Sequence, residues 1–499
     1  MPKIKSISII LLITILSLTG CSKGTIINAD SLIVKDLNGV KESNIHEYII
    51  DVDLDSENMT YMGKQTVKYV NNTDINLEEV YFHLYPNAFK TLEDAPILFN
   101  LDENMDPISY IPGNIEIKKV LSHDKDLKWN IDKDKDTILH IELEKTLNKG
   151  DSLELYLEYK VTLPTTEDRF GYNDKSINLG NWYPIACVYD NKGWNLDPYY
   201  KVGDPFYSET SNYNVSITTD KNIIVASSGN IISETIDGDK KIYKIEGKLI
   251  RDFAWAASEN FIMKEKLVDN TLIKVYSIED NKKLIDKSLD IGEKSIKIFN
   301  RVFGKYPYGQ YSIVITKFPS GMEYPGIVFI SDEYPVTSEL DSLEIVIVHE
   351  TAHQWWYGLV GNDQIEEAWL DEALAAYSET IYIKELYSKV VAEDYYNQDV
   401  KMGYEYASNY LGENQAVNKP LSKFEGWNDY GPLVYSRGAM FIHSIKEEFG
   451  EEILYEILQK YFNKYKFHIA TTQDFIAICE EVTKTSFESQ IKVFLNGNK

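Results

Sequence analysis

The amino-acid sequence changes its periodicity at about residue 263, and this change limits the folds that the chain can adopt. From about residue 43 to 262, short β-rich runs such as EYIIDVDLD and SLELYLEYKV alternate with turns of Asn, Asp, Gly and Lys, a pattern typical of antiparallel sheets. In SLDIGEKSIKIFNRVFG the apolar residues recur at helical spacing, and helical segments dominate from Ser342 onward. We therefore expect a β domain followed by a mixed, mostly helical domain.

The predicted fold is thus multidomain, with an antiparallel β saddle or sandwich at 43–262 and an α+β domain at 263–499. Two β runs of the second domain, YSIVITKF and IVFISDEY, flank the stretch PSGMEYPG. We expect them to form an antiparallel unit ahead of the helices. Because no Pro-rich or Ser-rich linker separates the two domains, we expect them to pack firmly.

Residues 1–21 predict a lipoprotein signal peptide. Lys3 and Lys5 precede an apolar run, and the ending Leu18-Thr19-Gly20-Cys21 resembles a bacterial lipobox, which implies lipidation at Cys21. A short membrane helix is the alternative, but the apolar run is shorter than the roughly 20 residues that a span needs. We expect residues 22–42 to form a tether and the protein to be exported and anchored to a membrane by lipid, with the α+β domain outside the cytoplasm.

Charge and cysteine content narrow the function classes. A net charge of −27 argues against nucleic acid as a partner, because no basic surface neutralises phosphates. Apart from Cys21, only Cys187 and Cys479 remain, and we expect two free, buried thiols rather than a disulfide framework. The sequence contains no feature that predicts an oligomeric state.

The stretch VIVHETAHQWWYG predicts a metal site. His349 and His353 lie four residues apart, hence on one face of a helix that Asp341 can cap. Glu372 follows His353 by 19 residues on a second helical run, WLDEALAAY, and completes a His₂Glu set. Such a set with one open position suits a single Zn²⁺ ion, and Glu350 is placed to act as general base on a bound water. The alternative is a chance occurrence of HExxH in a chain of 499 residues.

These motifs resemble the membrane alanyl aminopeptidases, gluzincin zinc metallopeptidases with a thermolysin-like catalytic domain. The resemblance rests first on HETAH, followed after eighteen residues by the glutamate of WLDEALAAY. Gly321-Met322-Glu323 is similar to the G-x-M-E-N exopeptidase signature, and VYSRGA at 434–439 resembles the segment that holds the family's catalytic tyrosine. YFHLYPNAF and GNWYP in the β domain extend the resemblance over about 43–499.

The resemblance implies a role for each matching residue. His349, His353 and Glu372 would bind zinc, and Glu350 would be the general base and then the proton donor to the leaving amine. Tyr435 would donate to the oxyanion. The signature would bind the substrate's free α-amino group through Glu323, with Gly321 and Met322 beside it.

Several residues keep an alternative interpretation. Tyr324 stands where the signature has asparagine, so Glu323 is either the amine ligand or a turn carboxylate. Tyr430 is a second candidate beside Tyr435. Glu379, two helical turns beyond Glu372, is either a partner of a histidine ligand or a solvated glutamate. We interpret Glu366, Glu367 and Asp371 as capping and surface charge.

The sequence therefore predicts a zinc metallopeptidase that removes N-terminal residues from peptides by means of a zinc-activated water. Larger members of the family carry a further helical domain that closes the cleft, whereas about sixty residues follow Tyr435 here. An endopeptidase with an open cleft is thus an alternative function. A non-catalytic, peptide-binding lipoprotein is a third, which the presence of all the motif residues disfavours.

Overall fold

The computed structural model describes residues 25–26, 30–98, 110–133, 135–337, 339–411 and 415–497. The expected signal peptide and Cys21 lie outside the described residues. Within the described ranges, no helix combines the length and the apolar character needed to cross a bilayer. Cys187 and Cys479 are both buried and form no disulfide within the described part of the chain.

The N-terminal half is built from β sheets. Its strands are β1 (Thr25–Ile26), β2 (His46–Asp55), β3 (Thr60–Val70), β4 (Leu77–His83), β5 (Asn114–Ser122), β6 (Lys125–Asp126), β7 (Trp129–Ile131), β8 (Ile138–Leu147), β9 (Ser152–Thr162), β10 (Phe170–Tyr172), β11 (Ile177–Leu179), β12 (Ile185–Ala186), β13 (Tyr189–Asp190), β14 (Gly193–Trp194), β15 (Ser211–Asp220), β16 (Ile224–Ser227), β17 (Asn230–Asp237), β18 (Lys240–Ile250) and β19 (Trp255–Ser258). They form a nine-stranded sheet in the order β1-β17-β18-β15-β2-β3-β9-β5-β6, two four-stranded sheets (β10-β11-β19-β16 and β12-β4-β8-β7) and a β13-β14 ribbon.

Alternating side chains explain why these segments form strands with one buried face. In β2, Tyr48, Ile50, Val52 and Leu54 are buried, whereas the residues between them are exposed, as expected for a sheet with one face on the core. Neighbouring strands of the nine-stranded sheet are antiparallel except for β2 and β15, which pair in parallel. The prediction of a β-rich N-terminal domain followed by a mostly helical one is confirmed.

A second, mixed sheet opens the other half of the chain. Its strands are β20 (Ile262–Val268), β21 (Thr271–Ser277), β22 (Gln310–Thr316), β23 (Gly321–Met322) and β24 (Ile327–Ser331), in the order β20-β21-β22-β24-β23. β22 pairs in parallel with both β21 and β24, so the expected antiparallel pairing of the two runs around PSGMEYPG is wrong. The reason is β23, which runs back antiparallel to β24 and so lets β24 take the direction of β22.

Helices make up most of the remaining chain. They are α1 (Lys282–Val302), α2 (Ser342–Ala352), α3 (Trp369–Leu386), α4 (Lys389–Tyr395), α5 (Met402–Ala407), α6 (Trp427–Tyr430), α7 (Gly438–Phe449), α8 (Glu451–Tyr465), α9 (Thr472–Thr483) and α10 (Glu488–Gln490). Turns of π helix occupy Tyr396–Lys401, Gly431–Arg437 and Ile491–Leu495, and 3-10 turns occupy Glu42–Asn44, Tyr85–Phe89 and Leu421–Lys423. α2 packs between α1 and α3 and against β23 and β24, so it lies in the interior.

The segment 30–42, expected to be a tether, lies against the body of the protein. The Ile33 N–H donates to the carbonyl of Pro307 at 2.8 Å, and the side-chain amide of Asn38 donates to the carbonyl of Lys464 at 2.8 Å. Lys466 forms an ion pair with Asp36 at 2.7 Å. Hydrogen bonds, one ion pair and the packing of Leu32, Leu37 and Val40 against the core therefore hold this segment in place.

Candidate metal centre and active site

Helices α2 and α3 bring the three expected metal ligands together. Asp341 caps α2 by accepting from the Glu344 N–H at 3.2 Å. His349 lies near the end of α2, His353 directly follows it, and Glu372 lies in the first turn of α3. The Nε2 atoms of the two histidines are 3.1 Å apart, and each is 3.2 Å from Oε2 of Glu372.

Each imidazole is oriented by a contact on its far side. Nδ1 of His353 lies 3.0 Å from the carbonyl oxygen of Trp356, and Nδ1 of His349 lies 2.7 Å from Oε1 of Glu379. Because both Nδ1 atoms donate there, both Nε2 lone pairs point towards Glu372. The second carboxylate oxygen of Glu379 accepts from the hydroxyl of Tyr395, a residue that no sequence motif singled out.

The spacing of the three ligand atoms suits a metal ion. Their donor atoms all lie within 4.8 Å of one another, and all three side chains are buried. In a tetrahedral shell with ligands at about 2.0–2.2 Å, neighbouring ligand atoms lie roughly 3.3–3.6 Å apart, close to the observed spacing. Two imidazole nitrogens and one carboxylate oxygen are donors that Zn²⁺ accepts readily.

Glu350 lies beside these ligands with one oxygen free. Its Oε2 is buried and has no hydrogen-bond partner among the described residues. Burial raises the pKa of this carboxyl above its ordinary value, and the nearby carboxylate of Glu323 acts in the same direction, while His349 opposes it. Gly321 makes room for it, since a Cβ atom at 321 would lie 2.1 Å from Oε1 of Glu350. The expected substrate-binding residue Gly321 thus borders the expected base.

Glu323 is held in place by an amide between two carboxylates. The Nε2 group of Gln364 donates to Oε1 of Glu323 at 3.1 Å and to Oδ2 of Asp371 at 2.7 Å. Glu323 and Asp371 are both buried. The interpretation of Asp371 as surface charge is therefore wrong. The chain returns from α2 to α3 in a way that buries this residue beside Gln364.

Tyr435 contacts two of the three expected metal ligands. It lies on the π-helical turn Gly431–Arg437, and its hydroxyl donates to Oε1 of Glu372 at 2.8 Å. Its ring stacks on His349 with centroids 5.7 Å apart. Tyr430 packs edge-on against Tyr435, and its hydroxyl points to Gly203 rather than into the cavity.

Met322 does not reach the cavity, in contrast to what the signature implied. It is fully buried, and its sulfur lies 3.1 Å from Nε of Arg169, which also forms a buried ion pair with Asp204. Asp204 itself lines the cavity, with a carboxylate oxygen within 4.8 Å of oxygens of Glu323 and Glu372. Sequence reasoning missed both Arg169 and Asp204, because they lie in the β domain more than a hundred residues before the metal motif.

The active-site cavity, of about 370 Å³, joins these groups in one space. Its polar and apolar walls come from both halves of the chain: Leu98, Arg169, Asp204, Ser320, Gly321, Glu323, Ile345, Val346, His349, Glu350, His353, Glu372, Glu379, Trp427, Gly431 and Tyr435. The cavity thus combines a base, three metal-ligand side chains, a phenol and an acidic subsite formed by Glu323 and Asp204. Such a set can perform metal-assisted hydrolysis.

The helical part of the chain matches a protein-family model. Residues 287–497 match the peptidase family M1 domain. This confirms, for that part of the chain, the resemblance drawn from HETAH and WLDEALAAY.

Curated relatives are aminopeptidases. Aminopeptidase 2 of Candida albicans is 24% identical over 315 residues, which cover 58% of this chain and 33% of that protein. Human aminopeptidase RNPEPL1 is 29% identical over 199 residues (37% and 26%), and aminopeptidase N of Lactobacillus helveticus is 27% identical over 226 residues (41% and 26%). The match thus spans about a third or less of these relatives.

Solved structures share the fold along almost the whole chain. The M1 zinc metallopeptidase of Deinococcus radiodurans superposes with a TM-score of 0.64 at 14% identity, covering 91% of this chain and 94% of that one. A mutant of that enzyme bound to a Tyr-Ser-Ala substrate gives the same score at 13% identity and the same coverage. At this identity the likeness concerns the fold, which has the same two-part arrangement.

Replacement of Glu379 tests the arrangement of the ligands. Glu379→Gln removes the carboxylate that orients His349, so we expect the affinity for Zn²⁺ to fall roughly 10- to 100-fold. The dissociation constant is measured by competition with a chromophoric chelator. Glu385→Gln, the same substitution on α3 but away from the cavity, is expected to bind Zn²⁺ like the wild type. An unchanged affinity in Glu379→Gln would contradict this role.

Proposed function

We propose that this chain, which carries a peptidase family M1 domain over residues 287–497, is a zinc-dependent aminopeptidase. The observation that carries the proposal is the convergence of two imidazole Nε2 atoms and one carboxylate oxygen at 3.1–3.2 Å, in the same cavity as Glu350 and Tyr435. The aminopeptidase relatives support the reaction class, and the peptide bound to a protein of the same fold supports peptides as substrates.

The protein's own residues account for the proton transfers. A zinc ion held by His349, His353 and Glu372 would supply a Lewis acid and an activated water. Glu350, with its free Oε2 and raised pKa, is suited to take a proton from that water and to pass it to the leaving amine. The phenol of Tyr435 donates to Glu372 at rest and can turn its hydrogen bond to the developing oxyanion of the substrate.

The acidic subsite gives a reason for recognition of a free N-terminus. Glu323 and Asp204 present carboxylates next to Glu372, and neither belongs to the expected ligand set. A substrate's α-ammonium group placed here would form charge-assisted hydrogen bonds, which are stronger than neutral ones. Gln364 and Arg169 keep the two carboxylates in fixed positions, so the cost of ordering them falls on folding rather than on substrate binding.

Removal of the general base tests the proposed chemistry. Glu350→Gln keeps the size of the side chain but cannot accept the proton, so we expect kcat on an amino-acid anilide to fall by roughly 10²–10⁴ with bound zinc retained. The control Glu366→Gln changes a glutamate paired with Lys192 near the surface and should keep wild-type kcat. Equal rates for Glu350→Gln and wild type would exclude this mechanism.

Acetylation of the substrate distinguishes the aminopeptidase from an endopeptidase with an open cleft. A short peptide and its N-acetylated form are compared by mass spectrometry of the products. We expect the acetylated form to lose at least about 100-fold in kcat/KM, since its amide cannot replace the charge-assisted hydrogen bonds of an ammonium. Glu323→Gln should lower kcat/KM for the free peptide and narrow the difference, whereas the exposed Glu333→Gln should change neither. Internal cleavage of both peptides at equal rates would favour the endopeptidase.

We further propose export and lipid anchoring through Cys21, supported by the positive residues, apolar run and lipobox-like ending at 1–21. Lipidation would make the protein partition with membranes. Cys21→Ala is expected to move the expressed protein from the detergent-soluble membrane fraction to the soluble fraction and to abolish incorporation of a labelled fatty acid. Cys479→Ala is the control for loss of a thiol, and labelling of Cys21→Ala at the wild-type level would refute the anchor.

A further inference from the structure

We infer that Tyr357 is a positioning residue for the metal centre and that the β domain fixes it through Arg251 and Asp252. The inference rests on the metal site of the proposed function. None of the three residues lines the active-site cavity, and the β domain contributes no metal ligand to the set formed by α2 and α3. Its influence on metal affinity would pass through the turn that follows His353.

The backbone at Tyr357 is strained. Its φ is +110°, in a region of the Ramachandran plot that residues other than glycine rarely adopt. The residue is fully buried, and its N–H donates to the carbonyl of Val360 at 2.9 Å. Because such a conformation is unfavourable by itself, surrounding contacts must hold it.

Arg251 holds the backbone of this turn. Its Nε donates to the carbonyl of Tyr357 at 3.0 Å, while Nη1 and Nη2 donate to the carbonyls of Ser208 (2.7 Å) and His468 (3.0 Å). The side chain is almost completely buried. A Cβ atom at Gly361 would lie 2.0 Å from its guanidinium carbon, so only glycine leaves room for it.

Asp252 holds the side chain of the same residue. The hydroxyl of Tyr357 donates to Oδ2 of Asp252, and the hydroxyl of Ser208 donates to Oδ1 at 3.0 Å. Both ends of Tyr357, its carbonyl and its phenol, are thus attached to adjacent residues of the loop between β18 and β19. Two consecutive residues of the β domain therefore hold Tyr357 at both ends.

The strained residue is linked to a metal ligand through a single peptide plane. The Trp356 carbonyl, which accepts from Nδ1 of His353 at 3.0 Å, belongs to the same plane as the Tyr357 N–H. Rotation about φ of Tyr357 therefore changes the direction of this carbonyl relative to the imidazole. The indole of Trp356 donates to the hydroxyl of Ser378 at 3.1 Å. Trp356 is therefore also attached to α3, the helix that carries Glu372.

Removal of the Tyr357 hydroxyl tests the inference. In the full chain, Tyr357→Phe loses only the bond to Asp252, and we expect its dissociation constant for Zn²⁺ to rise about 10-fold, the low end of the range for outer contacts of a ligand, because the Trp356 carbonyl that orients His353 is then held less firmly. The constant is measured by chelator competition, with folding checked by near-UV circular dichroism and Tm. Asp252→Ala, which removes the partner, is expected to give a similar loss, and the double variant no more than either alone.

A matched control lies on the same interface between the two halves of the chain. The hydroxyl of the buried Tyr308 donates to the carbonyl of Leu249 at 2.6 Å, and so to the end of β18 rather than to the turn after His353. Tyr308→Phe therefore loses an equivalent hydrogen bond and should bind Zn²⁺ with wild-type affinity even if its Tm falls.

The outcomes separate this inference from the proposed function. A wild-type protein that binds no Zn²⁺ would overturn both. Wild-type affinity in folded Tyr357→Phe, or an equal loss of affinity in Tyr308→Phe, would overturn the inference alone. If Tyr357→Phe does not fold, Asp252→Ala takes its place in the same comparison with Tyr308→Phe.

Discussion

The geometry of the site depends on the contacts that the carboxylate of Glu372 makes. Oε2 lies 3.2 Å from Nε2 of both histidines, and Oε1 accepts from the Tyr435 hydroxyl at 2.8 Å. Three separate elements, α2, α3 and the π-helical turn Gly431–Arg437, therefore meet at one side chain. Burial alone would raise the pKa of Glu372, but the positive charge and hydrogen bonds of protonated His353 and His349 lower it below the ordinary value.

The C-terminal end of α2 is polar and buried, which explains why residues from distant parts of the chain surround Glu372. α2 lies in the interior, and burial of the polar groups of His349, Glu350 and His353 is unfavourable unless they find partners. Those partners come from α3 and from the turn at Trp356, and Arg251 of the β domain holds this turn through the Tyr357 carbonyl. The exception is Oε2 of Glu350, which finds no partner in the part of the chain that the structure describes, and this oxygen is the proposed proton acceptor.

Features of the site that depend on local spacing could be predicted from the sequence, whereas features that depend on contacts between distant segments could not. The i, i+4 spacing of His349 and His353 and the cap at Asp341 follow from helix geometry, and both are present in α2. The parallel pairing of β22 with β24 depends on the return of the chain through β23, which periodicity does not record. Asp204 belongs to no motif, and Tyr357 lies in the quoted metal-site stretch without a predicted role, since the roles of both arise from contacts between segments distant in the chain.

Tyr324, the departure from the exopeptidase signature, shows how the fold absorbs a change of residue. Its phenol donates to Oδ1 of Asn181 at 2.7 Å and occupies space that a side chain at Gly180 would fill, so it points into the β domain and away from the active-site cavity. Its carbonyl accepts from Nε2 of Gln354 at 3.2 Å, directly after His353 in the chain. The metal-binding segment thus anchors the loop of Glu323. Because this anchor uses the backbone of Tyr324, it requires no particular side chain at 324.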